Sequence, residues 1–105
     1  MAPESLLDAP VEPRLLLVDD EDMVLSLLGK VLENEGYVAT TARTLGEARK
    51  SVARSLPDVI LVDKNLPDGS GLELCRELAG ADCELVLMSG FANVRSAVEA
   101  LQYER

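Results

Sequence analysis

Val59-Ile60-Leu61-Val62-Asp63 is the stretch from which the rest of the chain is read. Four apolar residues run without alternation into a carboxylate, the pattern of a strand buried on both faces. Two other stretches repeat it. Leu15-Leu16-Leu17-Val18 runs into Asp19 and Asp20, and Leu85-Val86-Leu87-Met88 runs into Ser89. Parallel strands of this kind open at their C-terminal ends onto a common crevice, where ligands bind. The pattern therefore gathers three carboxylates and a hydroxyl at one mouth.

Helical spacing fills the intervals between these strands. A first strand over 14–18 precedes a helix with Val24, Leu27, Leu28, Val31 and Leu32 on one face. Gly36 stops it where a left-handed cap is cheapest. A short β-branched strand covers 37–41. Thr44 with Glu47 three residues on has capping-box spacing, opening a helix that buries Leu45, Ala48 and Val52 and ends before Pro57. The third strand covers 59–62, and Asn65-Leu66-Pro67-Asp68-Gly69 carries the residues of a loop turn. Ser70 and Glu73 repeat the capping box, before a helix with Leu72, Cys75, Leu78 and Ala79 inward. The fourth strand covers 85–88. Beyond Gly90, residues 92–101 read as a helix with Val94, Val98 and Leu101 in register. Strict β-α alternation with short connections implies right-handed crossovers and a parallel α/β sheet with helices on both faces.

The totals bound the function. At 105 residues the chain is one domain, with 48% apolar and 28% charged residues, ordinary globular values. Its formal charge of −9 repels phosphate backbones, which argues against nucleic-acid binding by this segment. No apolar run approaches the ~20 residues of a membrane span. Residues 1–13 lack the basic start and apolar stretch of a signal peptide, and they read as a flexible leader to a domain over 14–105. Cys75 and Cys83 lack metal-ligand spacing, and Cys75 falls on a helical apolar stripe, so reduced core thiols in a cytoplasmic setting are expected.

Carboxylates crowded at one mouth raise one another's pKa unless a cation compensates them. Mg²⁺ suits such a cluster, because it takes oxygen ligands octahedrally and keeps positions open for water or phosphoryl oxygens. A cation beside Asp63 would neutralise an incoming phosphoryl group, and a carboxylate can act as its nucleophile. Ser89 could hydrogen-bond a phosphoryl oxygen.

Competing motifs fail on particular residues. The acidic run at Asp19-Asp20-Glu21 has no GxxxxGK[ST] to accompany it, which removes the P-loop reading. Asp63-Lys64-Asn65 starts like a calcium loop, but its sixth position is Asp68 instead of glycine. A dehalogenase-type phosphatase would need an aspartate where Asn65 stands. A serine nucleophile at Ser89 lacks GxSxG, and the chain has no histidine to serve as its base. Any histidine-borne phosphoryl group must therefore come from another protein.

Three blocks in order, Leu17-Val18-Asp19-Asp20-Glu21, Leu61-Val62-Asp63-Lys64-Asn65-Leu66-Pro67-Asp68-Gly69-Ser70-Gly71 and Met88-Ser89-Gly90, resemble the receiver domain of bacterial two-component response regulators. The likeness runs from about Arg14 to Leu101. It implies a flavodoxin-like doubly wound sheet, with Asp63 accepting a phosphoryl group from a histidine kinase or histidine phosphotransfer protein. It further implies that Asp20, Asp63 and the main-chain carbonyl of Asn65 ligate Mg²⁺, with Asp19 acting through water. Ser89 would be the switch hydroxyl, and Asn65 and Phe91 would hold positions that set the phosphate's lifetime. Glu21, Lys64 and Asp68 read as surface charges. Lys64 follows Asp63 directly and so points to the other side of the strand.

The likeness breaks at its end. Receiver domains carry a fifth strand, preceded by a lysine, and a fifth helix, and no lysine follows Ser89 here. A chain truncated after the fourth helix would have strand order 2-1-3-4. The fourth strand would then be an exposed edge, open to homodimerisation, and an apolar patch would remain beside the first helix. Slow or unproductive phosphorylation is the expected consequence. The runner-up reading is an interaction module that keeps the fold without switching, and a Mg²⁺-dependent phosphohydrolase stands third.

Overall fold

The computed structural model describes residues 12–89. The expected leader over 1–13 (save its last two residues), Gly90, Phe91 and the expected helix over 92–101 lie outside them. The elements are β1 (Arg14–Val18), α1 (Asp22–Asn34), β2 (Val38–Ala42), α2 (Leu45–Arg54), β3 (Val59–Asp63), β4 (Asn65–Leu66), β5 (Gly69–Ser70), α3 (Gly71–Glu77) and β6 (Glu84–Met88). Four strands form one parallel sheet in the order β2-β1-β3-β6. This is the expected 2-1-3-4, with β6 as its fourth member.

Alternation along the two central strands builds two cores. Leu15 and Leu17 of β1 and Val59 and Leu61 of β3 meet Val24, Leu25, Leu28 and Leu32 of α1 on one face. Leu16, Val18, Ile60 and Val62 meet Leu45 and Ala48 of α2 and Leu74 of α3 on the other. Both faces of β1 and β3 are thus covered, which is why those runs show no polar alternation.

The buried face of α1 differs from the expected one. Leu25 is inward, whereas Leu27 is 50% exposed and Val31 36%. Apolar residues at 23, 24, 25, 27, 28, 31 and 32 wrap roughly 200° of the helix at about 100° per residue, wider than one sheet contact. The sheet takes the half around Val24 and Leu28, and Met23, Leu27 and Val31 form an outward row. The helix ends in a Schellman motif: Gly36, at φ 95°, donates to the Glu33 carbonyl and Tyr37 to that of Leu32. Because Tyr37 completes this cap and packs in the core, β2 starts at Val38, one residue later than expected.

α3 also turns differently. Its anchor is Leu74, with Cys75 and Leu78 half-buried against the same cluster. Leu72 is only half-buried, and Ala79 lies exposed beyond the helix end. Cys75 and Cys83 are free thiols, and burial pushes both pKa values up. The capping box of Ser70 and Glu73 forms as expected. The stretch read as a loop is instead a small antiparallel hairpin, in which Asn65 pairs with Ser70 and Leu66 with Gly69 around a Pro67-Asp68 tip. None of the described helices is long and apolar enough to cross a membrane.

Candidate metal centre

Sheet register brings the acidic residues together. Val18 of β1 pairs with Val62 of β3, so Asp19 and Asp63 leave the sheet side by side. Asp19 is held against the neighbouring chain by its main-chain N–H, which donates to the Ala42 carbonyl. Asp63 pairs with Met88 of β6, and the Lys64 N–H donates to the Met88 carbonyl, so Ser89 leaves the next strand beside them, exposed.

Asp19, Asp20 and Asp63 each offer a carboxylate oxygen within 4.8 Å of the others. Asp19 is buried, Asp63 half-buried and Asp20 exposed, so the cluster opens to solvent on one side. An Asp19 oxygen accepts from the Glu21 N–H at 2.9 Å, and Asp63 Oδ1 accepts from the Asn65 N–H at 3.2 Å. Burial raises the Asp19 pKa first, and the charges of Asp63, Glu21 and Asp20 raise it further against the Glu21 hydrogen bond. Among the described residues none of the three forms an ion pair.

The donor set fits a hard divalent cation. Octahedral Mg²⁺ with bonds of about 2.1 Å places adjacent ligands roughly 3 Å apart and opposite ones roughly 4.2 Å apart, so oxygens within 4.8 Å of one another close on the ion by side-chain rotation alone. A buried carboxylate that resists ionisation is also what a cation would relieve.

Three features escaped the sequence reading. Asp68 is not an ordinary surface charge: its two carboxylate oxygens accept from the N–H groups of Leu45 and Gly46 at 2.8 and 3.0 Å. These bonds hold its pKa below the usual carboxylate range. With Thr44 Oγ1 accepting from Glu47 and the Thr44 carbonyl from Ala48, the first four amides of α2 are all satisfied. Glu47 reaches past the cap to the Arg43 N–H, so the expected capping box closes on its neighbour instead. Second, Gly71 is buried against the main chain of Asp63 and donates to the Lys64 carbonyl. Third, Arg43 pairs with Asp22, tying the start of α1 to the loop before α2. The Pro-Asp-Gly turn was visible in the sequence, but its partner 23 residues upstream was not.

A doubly wound α/β domain with an acidic crevice at its strand ends is the class this arrangement defines. The model of the response regulator receiver domain matches residues 15–105, and the chain belongs to that family. It is 32% identical over 104 residues to the photosynthetic apparatus regulatory protein RegA of Cereibacter sphaeroides, covering 97% of this chain and 56% of that protein. The chain thus spans about half the length of such relatives. A CheY-like receiver domain protein from Methanospirillum hungatei superposes with a TM-score of 0.72 at 29% identity, over 88% of this chain and 75% of that one. The beryllofluoride-activated NtrC4 receiver domain dimer gives 0.68 at 32% identity, over 83% and 75%. The chain is a phospho-acceptor module of two-component signalling, and the matches do not favour the interaction module without switching.

Proposed function

We propose that Asp63 is the phospho-acceptor, taking a phosphoryl group from a histidine kinase or histidine phosphotransfer protein. Asp20, Asp63 and the Asn65 main-chain carbonyl hold Mg²⁺, with Asp19 acting through water, and Ser89 is the hydroxyl that answers the modification. The observation that carries this reading is the approach of three carboxylate oxygens to within 4.8 Å at the ends of adjacent strands.

When bound, Mg²⁺ supplies positive charge against the carboxylates and the incoming phosphoryl oxygens. The chain's own residues do the rest. The Asn65 N–H occupies Asp63 Oδ1 and orients the carboxylate, leaving Oδ2 to attack phosphorus. The new P–O bond forms as the P–N bond of the donor phosphohistidine breaks, and the imidazole leaves with the electron pair and takes a proton from solvent. Ser89, exposed at the end of β6, donates to a phosphoryl oxygen from the neighbouring strand. The setting is the cytoplasm, where half-buried free thiols persist.

Incubation with acetyl phosphate and Mg²⁺, followed by intact mass, tests the assignment. One phosphoryl group added to the native chain and none to Asp63→Asn is the expected result. Modification of the variant would overturn it.

A second copy of the chain is proposed as a partner. β6 is the end strand of the sheet among the described residues, and Met23, Leu27 and Val31 expose an apolar row on α1.

A further inference from the structure

The hairpin that follows the acceptor strand is fastened at both ends. At its base, Gly71 donates to the Lys64 carbonyl, and Asn65 pairs with Ser70, whose hydroxyl caps α3. At its tip, Asp68 reaches across to the start of α2 and accepts from the Leu45 and Gly46 amides. Between the two lie only Leu66 and Pro67, with Leu66 half-buried against the core. A carboxylate at a helix N-terminus meets both free N–H donors and the positive end of the helix dipole. Further along the same face, Arg49 of α2 holds Glu77 of α3 through two hydrogen bonds of 3.0 and 2.6 Å.

We infer that Asp68 is a positioning residue for the cation site, latching the hairpin to α2 so that the Asn65 main chain is held at the depth where it meets the ion. The inference rests on the site assignment above. Asp68 never touches the cation. It removes the freedom of the short segment that supplies a neutral ligand, and groups that orient metal ligands govern affinity.

Mg²⁺ titration calorimetry on the whole chain tests this with three variants. Asp68→Ala should weaken Mg²⁺ binding about tenfold, the low end for partners that orient ligands. Asp68→Asn, which keeps one acceptor oxygen, should fall between it and the native chain. Thr44→Ala removes the other cap of α2 without touching the hairpin, and its Mg²⁺ affinity should be unchanged. Native affinity in Asp68→Ala and Asp68→Asn would overturn the latch, as would equal weakening by Thr44→Ala. If Asp68→Ala fails to fold, the Asn variant alone decides. A native chain that takes up no Mg²⁺ would overturn the site assignment itself and the latch with it, an outcome separate from a native chain that binds while the variants bind as well.

Discussion

Gly71 lies so close to Asp63 that a β-carbon on it would overlap the Asp63 main-chain carbonyl oxygen and stand 2.8 Å from Cγ2 of Val62. Backbone at the end of a central strand cannot give way cheaply, so this position tolerates no side chain. Gly71→Ala should cost about 2–3 kcal/mol, as overpacking does. Urea denaturation reads it as a lower midpoint at unchanged slope. The same shift should move the Asp63 carboxylate and weaken Mg²⁺ binding.

Asp19 works against the stability of the metal-free protein. Burial first, and then the neighbouring carboxylates, raise its pKa. A group whose folded pKa is raised contributes stability below its unfolded value and loses it as pH rises through the folded one. Asp19→Asn keeps an oxygen for the Glu21 N–H and removes the charge. It should stabilise the metal-free chain at pH 7 by roughly 0.5–2 kcal/mol while weakening Mg²⁺ binding. Thermal melts with and without Mg²⁺ check both halves, and a destabilised metal-free variant would contradict the account.

The Asp68 latch carries the opposite sign. The Leu45 and Gly46 amides lower its pKa, so its contribution is present above the unfolded carboxylate value of about 3.9 and disappears as pH falls through the lower folded value. Melts of Asp68→Asn should therefore lie below those of the native chain at pH 6 and converge with them in acid. A gap that stays constant down to the lowest pH would count against the hydrogen bonds as its source.

Leu74, not Ala79, anchors α3. Leu74→Ala should cost about 2–5 kcal/mol, the range for a buried leucine. Ala79→Ser should stay within about 0.5 kcal/mol, as exposed changes do. Equal losses would restore the stripe expected from spacing alone.

Self-association should depend on the outward row of α1 and the β6 edge. Sedimentation at low micromolar concentration should show mass rising with concentration in the native chain, and less so in Met23→Ser/Leu27→Ser. A cooperatively melting monomer at every concentration would remove the second copy as a partner.

The strands and the carboxylate cluster were legible in the sequence for one reason. Leu15–Val18 and Val59–Val62 are apolar on both faces, a pattern that few environments other than a central parallel strand accommodate. Once they are adjacent, Asp19, Asp20 and Asp63 must converge. Helix orientation was less legible, because α1 is apolar over more than half its circumference and spacing cannot say which half meets the sheet. Tyr37 reads as a strand residue by type, but a cap claimed it. The Asp68 contact with Leu45 and Gly46 was beyond reach, since a turn aspartate and a helix start separated by 23 residues carry no mark of each other.

β1 and β3 each have a hydrogen-bonded strand on both sides, whereas β6 ends the described sheet. Deuterium should therefore enter the amides of β6 well before those of β1 and β3. Two of the three carboxylates hang from strands paired on both sides, and Ser89 from a strand paired on one side among the described residues. A small chemical event at an immobile post can then displace the looser neighbour without deforming the post itself.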